Sequence, residues 1–140
     1  MSSLLVALQF GLLALMAVRL EAGAIGPGFV ALLGAGVAVG AWALAANRPG
    51  NFNIRPDPHP EGRLVTGGPY AWVRHPMYLA VLLAMAAFAL GGDAWQWAAW
   101  VALAAVLAAK ALREEKGLAD LHPGYGAYRA RTRAIIPFVF

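Results

Sequence analysis

The chain lacks cysteine altogether. That absence excludes disulfide bonds, thiolate-ligated metal sites and a cysteine nucleophile. Charge is also scarce, because Asp, Glu, Lys and Arg together make up 13% of the 140 residues, whereas a typical soluble domain has about 25%. Hydrophobic residues reach 61%, against a usual value of about 45–50%. The composition therefore predicts an integral membrane protein, and the length suits a single domain over residues 1–140.

Several familiar catalytic motifs are missing as well. The chain has no G-x-G-x-x-G, no P-loop, no H-E-x-x-H and no G-x-S-x-G sequence. Their absence argues against a Rossmann dinucleotide site, a P-loop nucleotide site, a zinc protease and an α/β-hydrolase. We expect no metal site in this chain.

Four apolar stretches stand out, and they cover residues 4–18, 27–46, 77–90 and 94–112. A helix needs roughly 20 apolar residues to span a bilayer, so the second and fourth stretches are long enough, while the first and third are short. The pattern predicts an all-α, polytopic membrane bundle of about four transmembrane helices, with the first two inside residues 1–46. In the second stretch, Gly36 and Gly40 form a small-residue motif that favours close helix packing.

Basic residues are concentrated on one predicted side of the membrane. Four spans place the amino terminus, the loop of residues 47–76 and the carboxyl-terminal tail on the same side. That side carries ten of the eleven Lys and Arg residues: Arg48, Arg55, Arg63, Arg74, Lys110, Arg113, Lys116, Arg129, Arg131 and Arg133. Because Lys and Arg favour the cytoplasmic face, we predict an inner-membrane protein with both termini in the cytoplasm. Basic loops of this kind lie against anionic lipids, so membrane lipids are expected partners and nucleic acid is not.

Two polar clusters interrupt the apolar pattern on this side: "GPYAWVRHPMY" at residues 68–78 and "REEKGLADLHPGYGAYRARTRAIIP" at residues 113–137. Arg74 could extend to lipid phosphates, and His75 could cap the following helix, whose start Pro76 suits. Glu114 and Glu115 could form a solvated helical face, or one of them could turn inward to meet a cation. Residue types and spacing alone leave these alternatives open.

The two clusters, in this order and separated by an apolar hairpin, resemble the integral-membrane methyltransferases. This superfamily includes the isoprenylcysteine carboxyl methyltransferases and the phospholipid N-methyltransferases, and its bacterial members look most similar. The shared pattern is "GPY…RHPxY", then a hairpin, then "EE…L…Y..Y…P", and the resemblance extends over residues 51–137. It implies that residues 47–140 form a catalytic core. This core would transfer a methyl group from S-adenosyl-L-methionine, bound without a Rossmann fold in a pocket at the cytoplasmic face.

The resemblance also implies which residues form the site. Those expected to bind the cofactor are Gly68, Pro69, Tyr70, Arg74, His75, Tyr78, Glu114, Glu115, Tyr125 and Tyr128. Those expected to take part in catalysis are His75, Lys110, Arg113 and Glu115. In this arrangement the glutamates hold the ammonium and ribose region of the cofactor, the last two tyrosines close the pocket, and Arg74 meets the cofactor carboxylate as a bidentate partner.

The chain departs from the family pattern in ways that bear on the acceptor. Lys110 stands where isoprenylcysteine enzymes carry an Arg, one turn before the glutamate pair. His122 replaces a usual aromatic residue, and Ala80 replaces a common Gly. The expected acceptor is a lipophilic or lipid-linked molecule: a prenylcysteine-like carboxylate, a phospholipid amine or a thiol. Two other functions stay open at this stage, a nicotinamide-dependent membrane reductase of the sterol-reductase type and a non-catalytic helical membrane scaffold.

Overall fold

The structure is a computed structural model that describes residues 2–47 and 63–138. Within those ranges it contains five α-helices and no strand: α1 (Ser2–Val18), α2 (Pro27–Ala46), α3 (Pro76–Leu90), α4 (Ala94–Leu121) and α5 (Tyr125–Arg131). The prediction of an all-α chain is confirmed for these residues. The segment of residues 51–60 that contributes to the family resemblance, like Arg48, lies outside the described residues.

The helices differ in whether they are long enough to cross a bilayer. α2 has 20 residues and α4 has 28, and both are apolar enough to span a membrane by length and composition. α1 and α3 have 17 and 15 residues, which correspond to about 26 Å and about 22 Å. Both lengths fall short of the roughly 30 Å hydrocarbon core. The prediction that the second and fourth stretches are the long ones is confirmed, while four complete crossings stay a prediction.

α2 and α3 pack closely because a glycine stands at their contact. A Cβ atom at Gly36 would lie 2.7 Å from the carbonyl oxygen of Ala80 and 2.7 Å from the backbone nitrogen of Ala84. At Gly40 the corresponding atom would lie 3.5 Å from the Ala80 Cβ, which is an ordinary contact. Small residues let helix backbones approach in this way. The close packing is therefore within the chain, and it depends on Gly36 rather than on both glycines.

The two short connections lie together at one end of the bundle. The connection from α1 to α2 includes a 3₁₀ turn at Ala22–Ala24, and a Cβ atom added at Gly91 would collide with Ala24. The turn from α3 to α4 ends at Asp93, whose carboxylate accepts a hydrogen bond of 3.1 Å from the backbone nitrogen of Gln96. An Asp in this position caps the first turn of a helix. The start of α3 and the tail after α4 consequently lie at the opposite end.

The buried residues of the long helices form narrow stripes. In α2 they are Phe29, Gly36 and Ala43, which recur every seven residues. The rest of the surface carries exposed large apolar side chains, among them Val30, Val37, Trp42, Leu44 and Val101. Soluble monomers rarely expose apolar surface of this extent, whereas a lipid-facing helix does. The helix bundle thus has a polar end, where the two clusters lie, and an apolar lateral surface.

Candidate active site at one end of the bundle

The segment before α3 is held in a tight conformation by its glycine. Gly68 begins a short 3₁₀ turn, Gly68–Ala71, in which Pro69 and Tyr70 are buried. Gly68 has a φ of 61°, a left-handed conformation that only glycine adopts readily. A Cβ atom there would also lie 2.9 Å from the Cβ of Ala46, at the end of α2. A glycine at this position brings the whole segment against the α2 terminus.

The tail folds back onto this segment and pairs with its backbone. The backbone nitrogens of Arg74 and His75 donate to the carbonyls of Arg133 and Ala134, at 2.8 Å and 2.9 Å. Arg133 in turn donates to the carbonyl of Trp72 at 3.1 Å. These bonds form a parallel bridge between Val73 and Arg133. They place α5 and the end of α4 directly against the Arg-His-Pro sequence.

His75 lies between the two glutamates of α4. Its Nε2 atom is 3.3 Å from Oε1 of Glu115, and its Nδ1 atom is 3.5 Å from Oε2 of Glu114. The ring is stacked on Tyr78, with 5.2 Å between centroids and an interplanar angle of 8°. His75 stands at the cap position of α3, but its side chain makes no capping hydrogen bond. The capping alternative for His75 is therefore wrong, and the side chain turns into the cluster instead.

Glu115 is the inward-facing member of the glutamate pair, with an exposed fraction of 4%. Its Oε1 atom accepts a hydrogen bond of 2.7 Å from Nε of Arg74, and its Oε2 atom lies 3.4 Å from Nε of Arg129. Arg74 also donates from Nη1 to the carbonyl of Thr132 at 2.6 Å. Arg74 is thus bound inside the protein and does not extend to lipid phosphates. Its positive charge favours the ionised form of the buried carboxylate.

Glu114 has a different environment from its neighbour. Its side chain is 30% exposed, and its Oε2 atom accepts a hydrogen bond of 3.1 Å from the hydroxyl of Tyr78. It is neither fully solvated nor enclosed by arginines. Of the two carboxylates, Glu114 is therefore the one that keeps access to the exterior of the cluster.

Three of the predicted tyrosines form a second layer of the cluster. The hydroxyl of Tyr128 donates to the backbone carbonyl of Tyr70 at 2.7 Å, which ties α5 to the 3₁₀ turn. The ring of Tyr125 meets that of Tyr128 edge-on, with 6.0 Å between centroids. Tyr125 is 1% exposed, and its buried hydroxyl has no hydrogen-bond partner among the described residues. An unpaired hydroxyl of this kind costs about 1–3 kcal/mol, so it needs an explanation.

The electrostatics of the cluster favour a charged His75 and neutral tyrosines. Burial lowers the pKa of His75 and is the largest effect, but the hydrogen bonds and charges of Glu114 and Glu115 outweigh it, so the pKa is raised. Only the imidazolium can donate from both ring nitrogens. Burial raises the pKa of the Tyr125 and Tyr128 hydroxyls. Both tyrosines therefore stay protonated near neutral pH and can donate hydrogen bonds.

The two remaining predicted residues differ in position. Lys110 is 2% exposed and donates from Nζ to Oε1 of Gln9 at 2.5 Å. Its Nζ atom also lies 5.3 Å from the centroid of the Tyr78 ring, which connects it to the cluster. Arg113, by contrast, is exposed on α4. The sequence reasoning missed Gln9, although a single polar side chain in an apolar stretch is a readable signal.

A cavity of about 590 Å³ lies at the other end of the bundle. It is lined by Val18, Arg19, Leu20, Glu21, Gly91, Gly92, Asp93 and Gln96. These residues belong to the two short connections and are remote from His75, so this cavity is not the predicted cofactor pocket. Within the described parts of the chain, no group of three or more His, Asp and Glu side chains is arranged to hold a metal ion.

Comparison with known proteins identifies one related family. The family model of the isoprenylcysteine carboxyl methyltransferase (ICMT) family matches residues 29–120, which include all of α3, α2 without its first two residues and α4 without its last residue. The match therefore covers the Arg-His-Pro sequence and both glutamates, while α1 and the tyrosines of α5 lie outside it. Curated proteins and solved structures gave no match.

Proposed function

Since the chain belongs to the isoprenylcysteine carboxyl methyltransferase family, we propose that it transfers a methyl group from S-adenosyl-L-methionine to a lipophilic acceptor at the cytoplasmic face of the inner membrane. Membership makes it a membrane methyltransferase, which agrees with its two long apolar helices. The methyl donor, the acceptor, four membrane crossings and the cytoplasmic location of both termini belong to the proposal.

The observation that carries the proposal is the convergence of the two polar clusters. His75 and Glu115 are 40 residues apart in sequence, and their side chains lie 3.3 Å apart. In a scaffold that binds no ligand, this buried cluster of charges would bring little benefit, because buried ion pairs add little net stability compared with apolar residues. Charged groups collected at the boundary of a membrane helix bundle instead indicate a functional site.

The residues present fit a cofactor that carries positive charge. Glu114 offers a partly exposed carboxylate, and the Tyr125 hydroxyl is a buried donor that lacks a partner in the described part of the chain. S-adenosyl-L-methionine, when bound, would supply an activated methyl group on a positively charged sulfur. A ligand oxygen or nitrogen that accepts from Tyr125 would remove the cost of its unpaired hydroxyl.

The geometry also divides the roles of the two glutamates. Glu115 is already engaged by Arg74, Arg129 and His75, so we assign it to holding the site together. Glu114 then becomes the carboxylate that meets the ligand's ammonium group, which S-adenosyl-L-methionine and S-adenosyl-L-homocysteine share. Arg74 uses Nε and Nη1 inside the protein, so its contact with a ligand carboxylate would be through Nη2, as a single hydrogen bond rather than a bidentate one.

We assign three tasks to the chain's own residues: they orient the reacting groups, exclude water from the site and accept a proton where the acceptor must lose one. The tail, the 3₁₀ turn and α4 fix His75 and Tyr78 in one orientation, which is the main requirement for a group transfer. A carboxylate or thiolate acceptor needs no base. An amine or hydroxyl acceptor would lose a proton, and the neutral form of His75 or the Glu114 carboxylate would accept it.

A binding experiment tests the proposal directly. The purified protein in detergent is titrated with S-adenosyl-L-homocysteine, and the heat of binding is measured for wild type, Glu114→Gln and Asp120→Asn. Loss of a charge-assisted contact should weaken binding by roughly 10-fold or more in Glu114→Gln. Asp120, an exposed carboxylate on the same helix, is the matched control and should leave binding unchanged.

The same titration separates the other functions. Binding of a reduced nicotinamide dinucleotide in place of S-adenosyl-L-homocysteine would favour a membrane reductase. Binding of neither ligand would favour a non-catalytic scaffold. Equal weakening in Glu114→Gln and Asp120→Asn would reject the role of Glu114 while leaving the methyl donor in place.

A further inference from the structure

Gln9 is an unusual residue for the helix that contains it. Between residues 4 and 18 it is the only polar side chain, and it is 8% exposed. It belongs to α1, which precedes residues 29–120 matched by the family. Burying a polar group among apolar helices is costly unless the group is paired, and such groups mark functional positions in membrane proteins.

Gln9 is connected to the candidate site by a continuous set of contacts. Its Oε1 atom accepts a hydrogen bond of 2.5 Å from Nζ of Lys110, across 101 residues of sequence. The same ammonium lies over the ring of Tyr78, 5.3 Å from its centroid, within the range of a cation–π contact. Tyr78 then donates its hydroxyl to Glu114 at 3.1 Å. The contacts thus lead from α1 to the partly exposed carboxylate.

We propose that Gln9 is a positioning residue of the site: its amide oxygen holds the Lys110 ammonium against Tyr78 and thereby fixes the hydrogen bond from Tyr78 to Glu114. The first step, control of Lys110 by Gln9, is a property of the folded chain. The second step, an effect on ligand binding, rests on the proposed function. On this reading α1 is part of the site, although it lies outside the matched region.

The chain provides a matched control at the other end of the same helix pair. Gln96 of α4 donates from Nε2 to the backbone carbonyl of Met16 in α1 at 3.1 Å, and it is 3% exposed. It too is a buried glutamine that joins α1 to α4. It lies near the short connections, far from Lys110, so its loss should loosen the helix pair without affecting the site.

The first experiment measures how well Lys110 is held. The chain has two lysines, Lys110 and the exposed Lys116, so reductive methylation with ¹³C-formaldehyde yields two distinguishable dimethyl-lysine signals. In Gln9→Leu, modification of Lys110 relative to Lys116 should rise about fivefold or more. Gln9→Glu keeps an acceptor oxygen and should keep Lys110 protected. Gln96→Leu should change the ratio by less than about twofold.

Unchanged protection of Lys110 in Gln9→Leu would overturn the proposal. An equal rise in Gln96→Leu would also overturn it, because the effect would then be general loosening of α1. Should Gln9→Leu fail to fold, the double variant Gln9→Leu with Lys110→Met removes the ammonium together with the amide that holds it. It is expected to fold as well as Lys110→Met alone, and its failure to do so would give Gln9 a purely structural role.

The second experiment tests the effect on the ligand. The dissociation constant for S-adenosyl-L-homocysteine should rise by about fivefold in Gln9→Leu, recover in Gln9→Glu and stay within about twofold of wild type in Gln96→Leu. Normal affinity in Gln9→Leu would reject the second step. If wild type does not bind the probe, the proposed function fails, while the lysine modification still decides whether Gln9 controls Lys110.

Discussion

Nε of Arg74 lies 2.7 Å from Oε1 of Glu115, in an ion pair that joins residues 41 apart in sequence. The two side chains are only 8% and 4% exposed. The pair connects the segment before α3 to the end of α4, and Arg74 extends the connection to the tail through the carbonyl of Thr132. Three parts of the chain therefore meet at one buried carboxylate.

Replacement of Glu115 by Gln should strongly destabilise the protein. The change leaves the buried Arg74 charge without its counter-ion, and breaking a buried pair from one side costs about 3–5 kcal/mol. The measurement is the free energy of unfolding in detergent. Arg129→Gln is the control, because Arg129 is 59% exposed and reaches the same carboxylate at 3.4 Å. Such exposed contacts contribute about 0–1 kcal/mol, so a loss as large as that of Glu115→Gln would contradict the assignment.

The stability of the protein should fall as the pH rises above about 6.5, the ordinary pKa of a histidine. The pKa of His75 is raised in the folded state by Glu114 and Glu115. The stabilisation from protonated His75 is therefore complete below the pKa of the unfolded chain, about 6.5. It is lost as the pH rises through the higher pKa of the folded state. The free energy of unfolding, measured from about pH 6 to pH 9, should decline in wild type. His75→Gln should remove that part of the decline, and an identical slope in both proteins would refute the argument.

Gly36→Ala should destabilise the contact between α2 and α3. The added methyl group would lie 2.7 Å from backbone atoms of Ala80 and Ala84, so the helices must separate, and overpacking of this kind costs about 1–3 kcal/mol. Gly34→Ala is the matched control, because nothing lies within 4 Å of a Cβ atom at that position. Thermal unfolding in detergent should show a loss for Gly36→Ala alone. Equal effects at both positions would mean that helix propensity, rather than close packing, decides the outcome.

Much of the fold could be predicted from local pattern. The second apolar stretch, residues 27–46, coincides with the observed helix α2, because Pro27 suits a first helical turn and the run is uninterrupted. α4 ends at Leu121, beyond the apolar run that ends at residue 112. The residues that follow the run are mostly Arg, Glu, Lys, Leu and Ala, which favour a helix, so the helix continues after it leaves the apolar region. Glu115 follows Leu103, Leu107 and Ala111 at steps of four residues, so the buried stripe of α4 could have shown which glutamate faces inward.

Other features of the site could not be predicted, because they depend on contacts between distant segments. Arg74 bonds to Glu115, 41 residues away in sequence, and its backbone pairs with that of Arg133 in the tail. No local pattern specifies either contact. The contact of Gln9 with Lys110 depends on which faces of α1 and α4 meet. The family resemblance implies a set of candidate site residues, whereas only the three-dimensional packing shows that Arg74 and Glu115 contact each other.

Tyr125→Phe should show whether the Tyr125 hydroxyl contributes to the stability of the fold or to the affinity for the ligand. The Tyr125 hydroxyl is buried without a partner among the described residues, so its removal should leave the stability of the ligand-free protein unchanged or slightly higher. If the hydroxyl donates to the bound cofactor, the affinity for S-adenosyl-L-homocysteine should fall by roughly 5-fold to 10-fold, equivalent to a hydrogen bond of about 1 kcal/mol or more. Tyr128→Phe is the comparison for stability, because Tyr128 donates to the carbonyl of Tyr70 at 2.7 Å. The loss of this bond should destabilise the free protein by about 0.5–1.5 kcal/mol. Calorimetric titration and thermal unfolding of both variants decide the point: a destabilised Tyr125→Phe with normal affinity would show that the hydroxyl serves the fold and not the ligand.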